Sequence, residues 1–215
     1  METKVDSLTQ KVQDLETKLN ELYAYKNGIE ELIKEKEAKK KAELELHEDI
    51  NNSSVINKDE VDLFINWLER KPTRIKLLLN SKTDGDSIDT FYSKCSNKFP
   101  TVVFVKTTRG RRFGGYCSVG WENKNGEFIK DLHSFIFSLD NKKKYNIKKP
   151  EEAIVTGSDE FAFGKGSDIN ICNNCTSNNE NYNDDAGTYE TTEENELNGE
   201  RNFTVSSYEV YLIEY

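Results

Sequence analysis

Two cysteines separated by two residues, Cys172 and Cys175, have the spacing with the clearest chemical meaning in the chain. A Cys-x-x-Cys pair can ligate zinc or act as a redox-active dithiol. A structural zinc site needs four ligands, and neither a second such pair nor a histidine pair is close in sequence. Cys95, Cys117 and His133 could complete a site only if the fold brought them together. We therefore expect no metal and no cofactor, and we keep a thiol redox protein using Cys172 and Cys175 as an alternative function.

Basic side chains cluster at two predicted loop ends, where they are free to contact partners. Six of them are candidates for binding a protein partner: Arg109, Arg111, Arg112, Lys142, Lys143 and Lys144. If the loops converge, they could bind an acidic protein surface, a phosphoinositide headgroup or nucleic acid, although solubilising turn residues are the plainer interpretation. The net charge of −9 disfavours nucleic acid as a partner. A nucleic-acid-binding stress regulator using the 109–112 hairpin remains a second alternative.

The composition indicates a charged, extended segment joined to a well-packed domain. Of the 215 residues, 35% are hydrophobic, 32% are charged and 11% are aromatic. The chain is thus too polar for a single tightly packed globule, yet too aromatic to be wholly disordered. No apolar run approaches the length of a membrane span, and the first twenty residues are too charged for a signal peptide. We therefore expect a cytoplasmic protein without a transmembrane segment, whose four cysteines stay reduced.

The first fifty residues repeat with a period of seven. Eight of nine successive core positions in the frame that starts at Val5 are aliphatic, and Lys26 is the exception. The predicted coiled-coil core consists of Val5, Leu8, Val12, Leu15, Leu19, Leu22, Ile29 and Ile33. Such a 3.5-residue period predicts a left-handed coiled coil, and this choice of side chains favours two strands. A lone amphipathic helix folding back on its own domain would need a broader apolar stripe. We expect residues 1–50 to form a homodimer.

The remainder predicts a compact domain of helices and short strands. Asn57 followed by two acids indicates a helix start, and Asp86 or Ser87 caps a second helix over Ile88–Cys95. From Pro100 onward the period changes to two, which predicts strands. The strand candidates are 101–107, 112–119, 134–139, 145–147, 153–156, 168–172 and 205–213.

Short strands without intervening helices predict antiparallel sheets packed as a sandwich. The predicted fold class is therefore α+β: a two-sheet antiparallel β-sandwich flanked by short helices and preceded by a long N-terminal coiled-coil helix. The predicted divisions are residues 1–50, a connecting helix and linker at 51–74, and a domain at 75–215 with a mobile acidic loop at about 178–199.

Two details of the strands carry further expectations. Gly114 and Gly115 lie inside a predicted strand, which indicates a bulge or another part of the chain passing close overhead. In the last strand we expect Val205, Val210 and Leu212 to be buried.

An ordered set of motifs across about residues 75–215 resembles the TLDc domain family. The motifs are 79–85 (LNSKTDG), 91–98 (FYSKCSNK), 100–106 (PTVVFVK), 113–116 (FGGY), Trp121, 134–139 (SFIFSL), 163–169 (FGKGSDI), 203–205 (FTV) and 209–211 (EVY). The coiled-coil extension is similar to those of protist cytosolic members. The acidic segment after Tyr189 and the Cys172–Cys175 pair depart from the usual pattern.

The resemblance implies a two-sheet β-sandwich flanked by helices. It also implies a role in oxidative-stress resistance and, for some members, regulation of the vacuolar-type proton pump by direct binding. It supplies no agreed catalytic centre, and fold alone does not license function. The function expected from the sequence is a non-enzymatic cytosolic adaptor or regulator, dimeric through its helix, whose domain binds a protein partner, with a proton-pump subunit as the candidate.

Overall fold

A computed structural model describes residues 2–47, 49–122, 126–184, 187–192 and 195–215. The chain divides into two compact units, Met1–Glu45 and Leu46–Tyr215. The first unit is a single long helix, and the second contains the remaining helices and all described strands. Among the described residues, no helix combines the length and the apolar content that crossing a membrane requires.

The helix of the first unit, α1, spans Glu2–His47 without interruption. Helix-breaking proline is absent from this stretch, and its only glycine is Gly28. The long N-terminal helix that the heptad pattern predicts is therefore confirmed.

The described residues of the second unit form three shorter α-helices. They are α2 (Lys58–Trp67), α3 (Ser81–Asp84) and α4 (Ile88–Cys95), and two 3₁₀ turns occur at Ile50–Asn52 and Pro150–Glu152. The predicted starts of α2 and α4 are confirmed. At α2 the backbone N–H of Asn57 donates to Glu60 Oε2 at 2.9 Å, and at α4 the hydroxyl of Ser87 accepts from the Thr90 N–H at 3.1 Å. These side chains satisfy backbone groups that a helix end would leave unpaired.

The strands form two antiparallel sheets of six strands each. The first sheet has the order β1-β12-β2-β3-β5-β6 and the second has the order β11-β10-β9-β8-β7-β4. The bounds are β1 Arg74–Asn80, β2 Thr101–Thr107, β3 Arg112–Cys117, β4 Phe128–Ile129, β5 Phe135–Ser138, β6 Lys143–Asn146, β7 Ile154–Thr156, β8 Glu160–Phe163, β9 Ile169–Cys172, β10 Asn181–Tyr182, β11 Asn202–Phe203 and β12 Val205–Glu214. The α+β, two-sheet fold predicted from the sequence is confirmed.

The first sheet is covered on both faces. Along β2, Val103 and Val105 point into the core between the two sheets, while Val102 and Phe104 point to the opposite face. That outer face packs against α2, whose Phe64 meets the ring of Phe104 edge-on with centroids 5.3 Å apart. The helix at 58–67 thus belongs to the hydrophobic core of the second unit.

Burial along β12 differs from the expected alternation. Val205 and Val210 are buried as predicted, and so are Tyr208 and Tyr211, whereas Leu212 is only half-buried. The prediction that Leu212 is buried was wrong. A central strand covered on both faces buries successive residues, so alternation of apolar side chains no longer identifies the inward face.

The two glycines of β3 allow a close approach of neighbouring groups. The β2–β3 register runs without a shift from Thr101 opposite Cys117 to Lys106 opposite Arg112, so the strand carries no bulge against β2. A Cβ added at Gly115 would lie 2.5 Å from the ring of Phe163, and one at Gly114 would lie 2.0 Å from the carbonyl oxygen of Val103. Of the two alternatives for this motif, the close approach is confirmed.

Candidate functional site

The eight predicted coiled-coil core residues form an exposed stripe on α1. Their exposed fractions range from 40% at Ile29 to 64% at Leu15 and Leu22, values typical of residues without an apolar partner. Lys26, which interrupts the stripe, lies 3.6 Å from Glu30 of the next turn. Hydrophobic side chains at a 3.5-residue period on an isolated helix form a surface suited to a second helix.

The heptad analysis missed three exposed apolar residues beside this stripe. Tyr23, Tyr25 and Leu32 are 56%, 70% and 58% exposed, and they occupy positions that flank the seam. Tyr23 and Tyr25 lie within one turn of Lys26, and Leu32 is next to Ile33, so the apolar surface of this part of the helix is wider than the seam alone. The flanking positions of the same heptad frame are the signal that would have identified them.

The two basic loops lie at one end of the first sheet. Strand β3 pairs with β5, so the 107–112 hairpin turn and the 139–143 turn are neighbours. The Leu139 N–H donates to the Arg112 carbonyl at 3.0 Å. The sequence left open whether these loops converge, and here they do.

The basic residues at this end are partnered by acids of the same chain. Arg109 lies 2.6 Å from Glu200, and Lys143 lies 2.5 Å from Glu196. Both acids come from the acidic segment or its immediate end. Arg111 is exposed, and so is Lys142 at the neighbouring turn. A site that bound a polyanion here would have to displace these internal carboxylates, which weakens the nucleic-acid alternative.

Arg112 is held within the fold. Its guanidinium donates to both carboxylate oxygens of Glu60 at 2.7 and 2.8 Å and to Asp140 at 3.0 Å. The hydrogen bonds from Arg112 to Glu60, supported by Asp140, raise the pKa of Arg112. Its side chain is only 18% exposed, so its charge is directed to these two acids.

The acidic segment contains anchors in the core. Tyr189 is fully buried and donates to the carbonyl oxygen of Ala153 at 2.8 Å, and Leu197 is also buried. Residues 185, 186, 193 and 194 of the predicted acidic loop lie outside the described residues.

The Cys-x-x-Cys pair lies at the end of β9 and in the turn that follows. Cys172 is half-buried, and its Sγ donates to Asn178 Oδ1 at 3.2 Å and to Asn181 Oδ1 at 3.3 Å. Cys175 is fully buried, and all four cysteines of the chain are free thiols. Burial raises the pKa of Cys172 and, more strongly, of Cys175. Since the thiolate is the reactive form, this environment favours inert thiols.

The other two cysteines do not join this pair in a metal site. In the part of the chain that the structure describes, no cluster of three or more His, Cys, Asp or Glu side chains could hold a metal ion. Burial raises the pKa of Cys95 to about 12, and burial likewise raises the pKa of Cys117. Both thiols pack in the hydrophobic core between the sheets.

A fully buried carboxylate, Glu209 of β12, anchors the segment that follows the first 3₁₀ turn. The Ser54 N–H and hydroxyl each donate to Oε1 at 2.9 Å, the Ser53 hydroxyl donates to Oε2, and the Tyr211 hydroxyl donates to Oε2 at 2.9 Å. Asn80 Nδ2 makes a longer contact of 3.4 Å with Oε1. These donors replace the water that the carboxylate loses on burial.

A small cleft opens on the outer face of the first sheet, beyond the C-terminal end of α2. Its volume is about 160 Å³, and the residues that line it are Trp67, Glu69, Arg70, Tyr116, Ser118, His133, Phe135, Lys144 and Tyr215. Of these, only Lys144 was a candidate for partner binding from sequence. The others come from four separate stretches of the chain, and only the fold brings them together.

The sequence model of the TLDc domain family matches residues 50–214 of this chain. The MTOR-associated protein MEAK7 of Danio rerio is 38% identical over 64 residues, which are 30% of this chain and 14% of that protein. The MEAK7 protein of Gallus gallus is 41% identical over 64 residues, with the same coverage. The GTPase-activating protein skywalker of Drosophila melanogaster is 34% identical over 67 residues, 30% of this chain and 11% of that protein. The chain thus spans at most 14% of the length of these three relatives.

Proposed function

Because this chain belongs to the TLDc domain family, we propose that it is a non-enzymatic regulatory adaptor whose N-terminal helix pairs with a second copy and whose TLDc domain binds a protein partner. The proposal includes a cytoplasmic location. The candidate partner is the cytosolic sector of the vacuolar-type proton pump, and the expected consequence is resistance to oxidative stress. Both follow from the family resemblance.

The observation that carries the proposal is the exposed aliphatic seam of α1. Eight aliphatic residues in one heptad frame lie on a helix that is a compact unit by itself. Burying each such side chain contributes up to roughly 1.5–3 kcal/mol, which gives a second helix a strong driving force to cover the seam. Two paired chains each present one TLDc domain, and binding is strengthened by avidity when both domains engage one partner.

The relatives support the regulatory part of the proposal. One is described as MTOR-associated and another as a GTPase-activating protein, so TLDc-related sequences occur in proteins that associate with other proteins or act on them. Since this chain matches only a small part of each, their own partners and activities are not assigned to it. The environment of Cys172 and Cys175 gives no support to the thiol redox alternative.

Size-exclusion chromatography with light scattering tests the pairing. We expect a mass about twice the 24.8 kDa of one chain at micromolar concentration. The variant Leu19→Glu places a charge in the seam and should give monomer, because a buried, unpaired carboxylate is costly. The control Ala24→Glu places the same charge on the opposite side of the helix and should remain dimeric. A monomeric mass for the unmodified chain would contradict the proposal.

Binding to the surface-immobilised cytosolic sector of the proton pump tests the identity of the partner. We expect the dimeric chain to bind with at least about tenfold higher apparent affinity than Leu19→Glu, because only the dimer engages two sites. Ala24→Glu should bind like the unmodified chain. Absence of binding by the dimer would exclude the pump sector as the partner while leaving the pairing of the helices intact.

A further inference from the structure

We propose that the cleft between the end of α2 and the outer face of the first sheet binds an acidic side chain of an extended peptide segment in a partner protein. The cleft is lined by Trp67, Arg70, Tyr116, His133, Lys144 and Tyr215, among others. The proposal deepens the adaptor function and rests on it for the choice of a protein as ligand.

The size of the cleft indicates a single side chain as its occupant. Pockets for metabolites and cofactors have volumes of about 300–1,000 Å³. The volume of this cleft, about 160 Å³, is near half of the lower limit. A ligand that places one side chain here must therefore extend beyond the cleft, as a peptide does.

The charge of the cleft selects an anion. Arg70 and Lys144 both line it, and Glu69, the one side-chain carboxylate among its described lining residues, is paired with His133 Nδ1 at 2.9 Å. Glu69 is thus already engaged by His133, and the hydrogen bond between them raises the pKa of His133. Arg70 and Lys144 bring two positive charges to the lining against the one side-chain carboxylate of Glu69, which favours a carboxylate as the ligand.

Two contacts fix the position of the Lys144 ammonium group in the cleft. Its Nζ donates to the Trp67 carbonyl at 2.9 Å and lies 4.3 Å from the centre of the Phe135 ring. Burial lowers the pKa of Lys144, as expected for an ammonium that has lost part of its water. A carboxylate entering the cleft would restore the lost stabilisation of this charge.

The floor of the cleft and its surroundings suit the apolar part of a peptide. The rings of Tyr116 and Phe135 stack with centroids 4.9 Å apart, and the guanidinium of Arg70 lies 4.8 Å from the ring centre of Tyr215. Next to His133 in the chain, Leu132 is 61% exposed. We therefore expect the favoured motif to have an apolar residue next to the acid, so that it covers Leu132.

Fluorescence provides a direct test with the full-length chain. The probe is a fluorescein-labelled pentapeptide of sequence Glu-Asp-Phe-Glu-Asp, followed by anisotropy. Of the two tryptophans, Trp67 lines the cleft and Trp121 is fully buried, so intrinsic emission reports occupancy of the cleft independently. We expect saturable binding with a dissociation constant below about 1 mM, the weak end of specific recognition.

Two variants separate the cleft from general attraction between charges. Arg70→Gln and Lys144→Gln should each weaken peptide binding by about tenfold, since each loses a charge-assisted contact. The matched control is Lys71→Gln, an exposed neighbour that is not among the lining residues. Its binding should change less than about twofold, as for an exposed charge without a fixed partner. Thermal unfolding of each variant without peptide, followed by the total tryptophan emission, shows whether the variant folds.

The remaining outcomes decide the proposal. Equal effects of Arg70→Gln and Lys71→Gln, or equal binding of a peptide with Lys in place of the acids, would overturn it. Equal competition by inorganic phosphate or benzoate would show a small-anion site and would also overturn it. The seam variant Leu19→Glu should bind the probe with unchanged affinity per chain. A monomeric mass for the unmodified chain with intact peptide binding therefore counts against the adaptor function alone, and a dimeric unmodified chain that does not bind the peptide counts against the cleft alone.

Discussion

Arg112 on β3 and Glu60 on α2 form a two-pronged ion pair, in which both terminal guanidinium nitrogens donate to the two carboxylate oxygens. The side chains are only 18% and 11% exposed. The same carboxylate accepts the Asn57 N–H at the start of α2 through Oε2. One acid therefore caps the helix and fixes it to the sheet on which it packs.

We expect Glu60→Gln to lower the free energy of unfolding by about 3 kcal/mol, because removal of one partner leaves the Arg112 charge buried with only Asp140 to compensate it. The measurement is urea denaturation at pH 7. Arg109→Gln is the control, since Arg109 pairs with Glu200 while its own side chain is 75% exposed. Arg109→Gln should lower the free energy of unfolding by less than about 1 kcal/mol. Equal costs for the two variants would show that the Arg112 pair contributes no more than a surface pair.

Replacement of Glu209 should also lower the free energy of unfolding strongly. Glu209→Gln keeps the size of the side chain but replaces one acceptor oxygen with an amide that donates, so the hydroxyls of Ser53 and Tyr211 compete for fewer acceptor sites. We expect a loss of about 2–3 kcal/mol in the free energy of unfolding. Glu214→Gln, at the end of the same strand, should change it by less than about 0.5 kcal/mol. Limited proteolysis should show faster cleavage near Ser53 in Glu209→Gln only, and unchanged cleavage would contradict the anchoring role.

The architecture could be predicted where local patterns are strong. The long N-terminal helix, the caps at Asn57 and Ser87 and the hairpin after Thr107 each depend on residues close in sequence, and all agree with the structure. Short strands were harder to predict from the sequence. Strand β8, with Phe161 and Phe163, was missed, because three apolar residues beside a glycine-rich turn do not distinguish a strand from a loop.

The candidate sites depend on pairing between distant segments, which sequence patterns do not encode. From the sequence, Arg112 and Lys144 belong to one group of basic side chains that are expected to be free to contact partners. In the structure Arg112 meets Glu60, far earlier in the chain, and Lys144 meets the backbone of Trp67. Charge counting along the chain could not anticipate either partner, because each is set by how α2 packs on the first sheet.

Gly115 offers a test of the close packing between the sheets. In Gly115→Ala the new methyl group would lie within 2.5–2.7 Å of the Phe163 ring, which must shift within a filled core. We expect a loss of about 1–3 kcal/mol in the free energy of unfolding, as for other overpacked cores. Gly28→Ala is the matched change on α1, where nothing lies within 4 Å of the added Cβ. It should raise helix stability by up to about 1 kcal/mol. Stabilisation by both variants would show that the sheets can move apart without cost.

Glu196 provides a prediction about pH. Its burial acts to raise its pKa, but the hydrogen bonds from Lys143 and from the Thr192 N–H outweigh burial and lower the pKa to about 2. A carboxylate with a lowered pKa in the folded state stabilises the fold above its unfolded pKa, and this contribution disappears as the pH falls. The stabilisation by Glu196 should therefore be complete at neutral pH and decline between about pH 4.5 and about pH 2.

Replacement of the partner cation tests this assignment. In Lys143→Met, the strongest hydrogen bond to Glu196 is absent while burial still disfavours the charged form, so the pKa of Glu196 should rise towards its ordinary value of 4.5 or above. The measurement is an NMR titration of the Glu196 side-chain carboxyl carbon. Lys142→Met removes an exposed neighbouring charge at the same turn and should shift this pKa by much less. An unchanged pKa in Lys143→Met would mean that the acidic segment does not depend on Lys143 for its attachment to the first sheet.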